Sequence, residues 1–204
     1  MRPLAGLLIS YLAGSIPFAF LAGKLFKEID LREHGSGNLG ATNVFRVMGW
    51  KIASLVMVLD MAKGALPVLL LPARFATANT ELWAIAFGIA AIIGHVRSIF
   101  LLWRGGGKGV ATAGGVFLAL APIASLISIA VFAIVVYLSG YVSLGSLCSA
   151  VALTVAVVVM KGVSSPIAIA CAVITLFVFW THRANISRLR RGEENRFRPA
   201  RPAT

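Results

Sequence analysis

Apolar runs long enough to cross a bilayer recur through this chain, and they narrow its fold more than any other feature. The first extends from Leu4 to Leu25, and others follow at about Trp50 to Leu71, Leu82 to Trp103, Val142 to Met160 and Pro166 to Trp180. A helix rising about 1.5 Å per residue needs roughly 20 residues to cross a hydrocarbon core of about 30 Å. The 204 residues are 59% hydrophobic and only 13% charged, with a mean hydropathy of +0.90. Such a chain cannot hide its apolar surface in one soluble core, so it is read as an all-α integral membrane protein. The first run reads as a permanent span, because a cleaved leader carries its basic residues ahead of the apolar stretch, whereas Lys24 and Lys27 follow it and only Arg2 precedes it.

The number of spans turns on the segment from Val110 to Leu138. As one helix it gives six crossings and exports a tail containing Arg183, Arg188, Arg190, Arg191, Arg196, Arg198 and Arg201, against the positive-inside rule. A break near Pro122, favoured by Gly114 and Gly115, splits it into about Val110 to Leu120 and Ile123 to Leu138 and gives seven. Both halves are short for full crossings, the first being tilted, partly re-entrant or sheltered by protein. The expected fold is therefore seven transmembrane helices, some short or broken, with the N-terminus outside and the C-terminus cytoplasmic. Arg2, Arg74 and Lys161 then lie outside, Lys63 and Arg97 lie within spans, and the other fourteen of the nineteen Lys and Arg are cytoplasmic. Topology thus accounts for the net charge of +12, and no nucleic-acid partner is expected. Cys148 and Cys171 sit inside apolar stretches without metal-like spacing, so neither a disulfide nor zinc is expected.

This topology gathers four polar clusters on one face. The first is GSGNLGATNVFR, Gly35 to Arg46. Its glycines, Gly35, Gly37 and Gly40, allow the backbone to curl until successive N–H groups form a nest for an anion. Ser36, Asn38, Thr42 and Asn43 lie between and after them. A helix starting near Asn43 would add its free N–H groups and place Arg46 on the first turn, within reach of a phosphate. On this stretch alone an ordinary polar connector is an equal reading. The second cluster is Asp60-Met-Ala-Lys63-Gly64, where Asp and Lys at i,i+3 can neutralise each other inside a span. Asp60 is read as half of a structural ion pair; Lys63 suits either that role or a site.

The third cluster runs from Gly94-His95 to Gly105-Gly106-Gly107-Lys108-Gly109, a glycine turn opening into a helix with a lysine in the turn. That design suits phosphate, although Gly109 after Lys108 and the all-helical context exclude a Walker A loop. A lone His in an apolar helix is more often a hydrogen-bonded packing residue than a catalyst, and His95 is read so. In the fourth cluster, His182, Asn185 and Arg188 are spaced by three and lie along one side of a helix leaving the membrane. Arg190, Arg191, Arg196, Arg198 and Arg201 are read as a juxtamembrane patch attracted to anionic lipid.

The clusters follow in a recognisable order: Asp30-Leu-Arg32 and GSGNLGATN with Arg46, Asp60-x-x-Lys63-Gly64, Gly94-His95 before GGKGVAT, then HRANI with Arg188-Leu189 and Gly192-x-Glu194. In this the chain resembles the bacterial PlsY family, membrane acyltransferases that use acyl-phosphate to acylate glycerol 3-phosphate. The resemblance extends to about Glu194, making 1–194 a single transmembrane acyltransferase domain and 195–204 a basic cytoplasmic tail. Two departures stand out. Arg97 and Ser98 replace the aromatic residue and proline common after Gly94-His95, and one extra residue precedes the shared GGKG.

The resemblance implies transfer of a fatty acyl group to the glycerol 3-phosphate hydroxyl, giving lysophosphatidate for phospholipid synthesis at the cytoplasmic face of the bacterial inner membrane. It implies Ser36, Lys108, His182 and Asn185 as catalytic residues. Substrate binding would fall to Gly35, Gly37, Asn38, Gly40, Thr42, Asn43, Arg46, Lys63, Gly106, Gly107 and Arg188. No cofactor or metal is expected, the partners are acyl-phosphate, glycerol 3-phosphate and membrane lipid, and oligomeric state is not legible. No residue reads as a protein nucleophile, so direct attack by the glycerol hydroxyl is expected, with the proton passing to His182 or to the substrate's own phosphate; the latter is the working hypothesis. An organic-phosphate transporter would also place cations among broken helices, and a lipid phosphatase would also cradle phosphate. The outer loops have almost no basic residues to receive an anion, and no tight His, Cys or Asp group serves hydrolysis.

Overall fold

The computed structural model describes residues 2–197; Arg198 and Arg201, in the expected basic tail, lie outside the described residues. The chain divides into two compact units, Met1–Leu120 and Ala121–Thr204.

The first unit opens with α1 (Arg2–Ser15) and α2 (Phe18–Lys27), then α3 (Ala41–Met48), α4 (Trp50–Leu70), the short α5 (Pro72–Phe75), α6 (Thr80–Val96), a 3-10 turn at Ile99–Leu101 and α7 (Val110–Leu120). The first apolar run is therefore two helices and not one, because Pro17 cannot donate a backbone bond and the chain breaks at Ile16–Pro17. Glycine lets helices approach to backbone contact. On α1 a methyl at Gly14 would strike the Ala91 carbonyl of α6, and one at Gly94 would strike Tyr11 of α1. On the other crossing Gly64 of α4 meets the Thr112 carbonyl of α7, and Gly115 of α7 meets the Met61 carbonyl of α4. Small residues at helix contacts are the usual means of packing in lipid, where burial of apolar surface gives little drive. Beneath the loop between α2 and α3 lies a cluster containing Ala19, Ala22, Leu31, Leu39, Val44 and Val56.

The second unit has α8 (Pro122–Ser139), α9 (Val142–Lys161), α10 (Pro166–Thr181) and α11 (Arg183–Arg191). Gly145 packs α9 on Phe132 and Val136 of α8, and Ser128 Oγ donates to the Ser149 carbonyl at 2.8 Å. Thr154 and Thr175 share a hydroxyl bond of 2.8 Å between α9 and α10. At the start of α10, Ser165 Oγ accepts from the Ala168 N–H at 3.1 Å, and Pro166 occupies the first helical position, where it loses no bond.

The break expected near Pro122 is present, with Pro122 as the first residue of α8. Gly114 and Gly115 do not contribute to it; they lie inside an unbroken α7. Five segments have the length and composition of a membrane span: Arg2–Lys27, Trp50–Phe75, Thr80–Leu101, Pro122–Ser139 and Val142–Lys161. The α10–α11 pair, bent by 58°, makes a sixth if counted as one span, and α7 is a shorter apolar helix of 11 residues. The second half of the broken run, at 18 residues, is thus long enough to cross, against the expectation that both halves are short.

Candidate active site

The glycine loop is built from the inside by Asn43. Its Nδ2 donates to the carbonyls of Leu31 at 3.3 Å and His34 at 2.9 Å, while its Oδ1 accepts from the Ser36 N–H at 2.8 Å. Gly35 lies against that amide with φ +64°, and Gly37 at φ +69° crosses close to the Arg32 carbonyl. Both conformations are left-handed, which glycine adopts without strain. Asn43 itself is 1% exposed, so its side chain is spent on closing the loop, while Ser36 stays exposed at the tip.

The Gly40 carbonyl accepts from the N–H groups of Asn43 and Val44, so the helix starts at Ala41, two residues earlier than expected. Thr42 falls on its first turn, and Arg46, expected there, stands exposed on its last. Before the loop, Arg32 pairs with Asp30 at 2.6 Å. The hydrogen bond from Arg32 holds the Asp30 carboxyl down at about 2 despite some desolvation.

The second glycine turn is docked on the first through Gly106. Its carbonyl accepts from Asn38 Nδ2 at 3.2 Å and from the Leu39 N–H at 3.4 Å, and Arg32 reaches the Arg104 carbonyl at 3.3 Å. Gly107 is buried, Lys108 is half-buried, and α7 starts two residues later at Val110. The loop carrying Ser36, which opens the helix of Arg46, and the turn carrying Lys108 are therefore parts of one assembly.

The two sequence departures are accommodated nearby. Ser98 Oγ donates to the Ser15 carbonyl at 2.5 Å. The Tyr11 hydroxyl donates to the Arg97 carbonyl at 2.8 Å and accepts from Trp103 Nε1 at 2.9 Å. In the stretch before GGKG, where the extra residue falls, Leu102, Trp103 and Gly105 all take positive φ.

Lys63, a candidate for substrate, is buried. Its ammonium lies 2.8 Å from Asp60 Oδ1, donates to the Ile16 carbonyl at 2.7 Å and sits 5.4 Å from the Phe18 ring centre. His95 Nδ1 lies 3.6 Å from the same Asp60 oxygen.

In the second unit His182, Asn185 and Arg188 do not share one continuous helix, because the chain turns at His182 between α10 and α11. His182 is buried, and its Nδ1 lies 2.8 Å from the Val178 carbonyl. A carbonyl can only accept, so Nδ1 carries a proton. Asn185 Nδ2 donates to Glu194 Oε1 at 2.6 Å and Arg188 Nε to Glu194 Oε2 at 2.7 Å. Burial would raise the Glu194 carboxyl, but the bonds from Asn185 and Arg188 outweigh it and hold the group below its ordinary value. Sequence spacing missed this role for Glu194; the signal was an acid two residues beyond Gly192, which caps α11 in a left-handed conformation and turns the chain back.

An apolar groove of about 740 Å³ lies along α9, lined by Leu144, Cys148, Val151, Val155 and Val159 with Phe179 of α10. Its lining suits hydrocarbon and supplies no polar chemistry.

Comparison with known proteins bears on this geometry. A family model described as glycerol-3-phosphate acyltransferase matches residues 4–192. The chain is 46% identical over 189 residues to a glycerol-3-phosphate acyltransferase of Maridesulfovibrio salexigens, covering 93% of this chain and 94% of the relative. It is also 46% identical to one of Geobacillus kaustophilus, with 90% of each covered. Among solved structures it is similar to PlsY (YgiH), an integral membrane glycerol 3-phosphate acyltransferase, in its glycerol 3-phosphate form, with TM-score 0.89 and 36% identity over 97% of this chain and 96% of that one. The lysophosphatidic acid form gives TM-score 0.85 and 35% identity, covering 96% and 95%.

Proposed function

Because the chain belongs to the glycerol-3-phosphate acyltransferase family, we propose that its acyl donor is an acyl-phosphate and its products are lysophosphatidate and inorganic phosphate. The observation that carries this reading is the interlock at Gly106. Two glycine-rich segments, one leading to Arg46 and the other to Lys108, are tied together by Asn38, Leu39 and Arg32. Two compact glycine-rich segments, one opening the helix of Arg46 and the other carrying Lys108, suit two small phosphates, one on each substrate. They offer no extended surface for the nucleotide of acyl-CoA. A relative of the same fold in a lysophosphatidic acid form supports the product.

In this reading Arg46 grips a substrate phosphate and Ser36 and Lys108 orient the acyl-phosphate. The loop residues Gly35, Gly37, Asn38, Gly40, Thr42 and Asn43, with Gly106 and Gly107, shape the cradle. Lys63 supports the site from beneath, since its ammonium is engaged by Asp60 and the Ile16 carbonyl. In the second unit His182 and Asn185 are assigned catalytic roles and Arg188 substrate binding, with Glu194 fixing Asn185 and Arg188. The glycerol hydroxyl oxygen attacks the carbonyl carbon. A new ester C–O bond forms, the C–O bond to phosphate breaks, phosphate leaves with the electron pair, and the hydroxyl proton passes to a substrate phosphate oxygen. Donors that grip more strongly as charge builds on the carbonyl and leaving phosphate lower the barrier. The site is assigned to the cytoplasmic side of a bacterial inner membrane, following the charge of the loops.

Purified protein in detergent should convert radiolabelled glycerol 3-phosphate and acyl-phosphate to lysophosphatidate, in the presence of EDTA and after thiol alkylation, with acyl-CoA a poor donor. Equal turnover with acyl-CoA, or EDTA inhibition reversed by magnesium, contradicts the assignment.

A further inference from the structure

Beneath the turn that carries Lys108 lies a buried cluster to which acyl transfer assigns no direct chemistry. His95, at the last turn of α6, is 7% exposed and Asp60 of α4 is 1% exposed. The imidazole occupies the space into which a side chain at position 107 would project: a methyl on Gly107 would fall on the ring at Nε2 and Cε1. A methyl on Gly106 would run into the carbonyls of His95 and Val96. Both glycines are thus seated on the end of α6, with Asp60, Lys63, His95, Ser98, Gly106 and Gly107 around one small cavity. On the ring's other side Nδ1 faces Asp60 Oδ1 at 3.6 Å. Asp60 is held by Lys63 at 2.8 Å, and Lys63 by the Ile16 carbonyl at the α1–α2 break. Ionisable groups at membrane depth are expensive, and well-packed apolar residues often replace buried ion pairs without loss of stability. Packing alone therefore gives no reason for charge at this place.

We propose that His95 is a positioning residue for acyl transfer. Its ring, keyed to Asp60 and through it to Lys63, is the floor on which Gly106 and Gly107 rest, and it sets the height and direction from which Lys108 reaches the substrates. This rests on the role assigned to Lys108 above.

The test is a pair of variants and their combination, with turnover normalised to folded protein. In His95→Asn the amide nitrogen takes the place of Nδ1 opposite Asp60, so the buried charges keep a partner, but the ring edge beneath Gly107 is gone. A misplacement of about 1 Å at a catalytic group costs roughly 100-fold, so kcat should fall by about tenfold or more while KM for glycerol 3-phosphate moves less than about threefold. Gly107→Ala alone pushes the turn off the ring and should also lower kcat. In the double variant the added methyl enters the space the ring has left, so the loss should be no greater than that of the worse single change.

Losses that multiply, unchanged kcat in Gly107→Ala, or a His95→Asn protein that loses thermal stability but not kcat would each overturn the proposal. Gly107→Ala keeps it testable if His95→Asn does not fold. Lys108→Ala separates the two readings. Wild-type turnover in that variant defeats the role of Lys108, whereas a collapse there with independent effects at His95 and Gly107 defeats only the positioning.

Discussion

Burial alone would push the Glu194 carboxyl up, yet it is held below its ordinary value of 4.5 because Asn185 and Arg188 donate to its two oxygens. With the folded value depressed, its charge contributes stability that is complete above 4.5 and is lost as pH falls through the lowered value. Glu194→Gln turns an amide N–H₂ toward one of those donors. In detergent the variant should unfold at a lower temperature than the parent at neutral pH, and the gap should narrow in acid. A gap that persists unchanged into acid would mean that the charge is not what fixes Asn185. Asn43 performs a comparable task without charge, satisfying two carbonyls and one N–H inside the glycine loop. Sequence spacing picked out both Asn residues but not how they act. GSGNLGATN shows which side chains are polar, whereas the partners of Asn43 depend on Leu31 and His34 folding back over α3.

Helices in this chain are placed by where glycine allows contact. Gly115 and Gly114 are neighbours on α7, but a methyl on Gly115 would strike the Met61 carbonyl of α4 while one on Gly114 meets nothing within 4 Å. Gly115→Ala should therefore cost about 1–3 kcal/mol of overpacking, seen as a lower unfolding temperature in detergent, and Gly114→Ala should be close to neutral. Equal effects at the two positions would remove the α4–α7 contact from the account. The apolar runs were legible because length and hydropathy are local properties, and Pro122 marked its break for the same reason. The break at Ile16–Pro17 carried the same local mark, Pro17, which the continuous apolar run around it outweighed. Its use, a carbonyl outside the helix ladder for Lys63, requires α4 to be in place. The bend at His182 was hidden, since Thr181 to Leu189 carries no proline or glycine.

At the scale of the whole molecule, each unit contributes polar groups of a different kind. Met1–Leu120 holds Lys108 on the second of two interlocked glycine-rich loops and Arg46 on the helix that the first one opens, and Ala121–Thr204 holds His182, Asn185 and Arg188, the last two fixed by Glu194. In the proposed reading these groups orient substrates and neutralise charge and none is assigned as a nucleophile, so the acyl group should pass straight from phosphate to glycerol hydroxyl without an acyl-enzyme. A rapid-quench experiment tests this most directly, with enzyme at a concentration comparable to acyl-phosphate and glycerol 3-phosphate withheld and then added. The account expects no stoichiometric release of phosphate before the acceptor arrives, then lysophosphatidate and phosphate appearing together in equal amounts. A burst of phosphate equal to the enzyme concentration in the absence of glycerol 3-phosphate would contradict it.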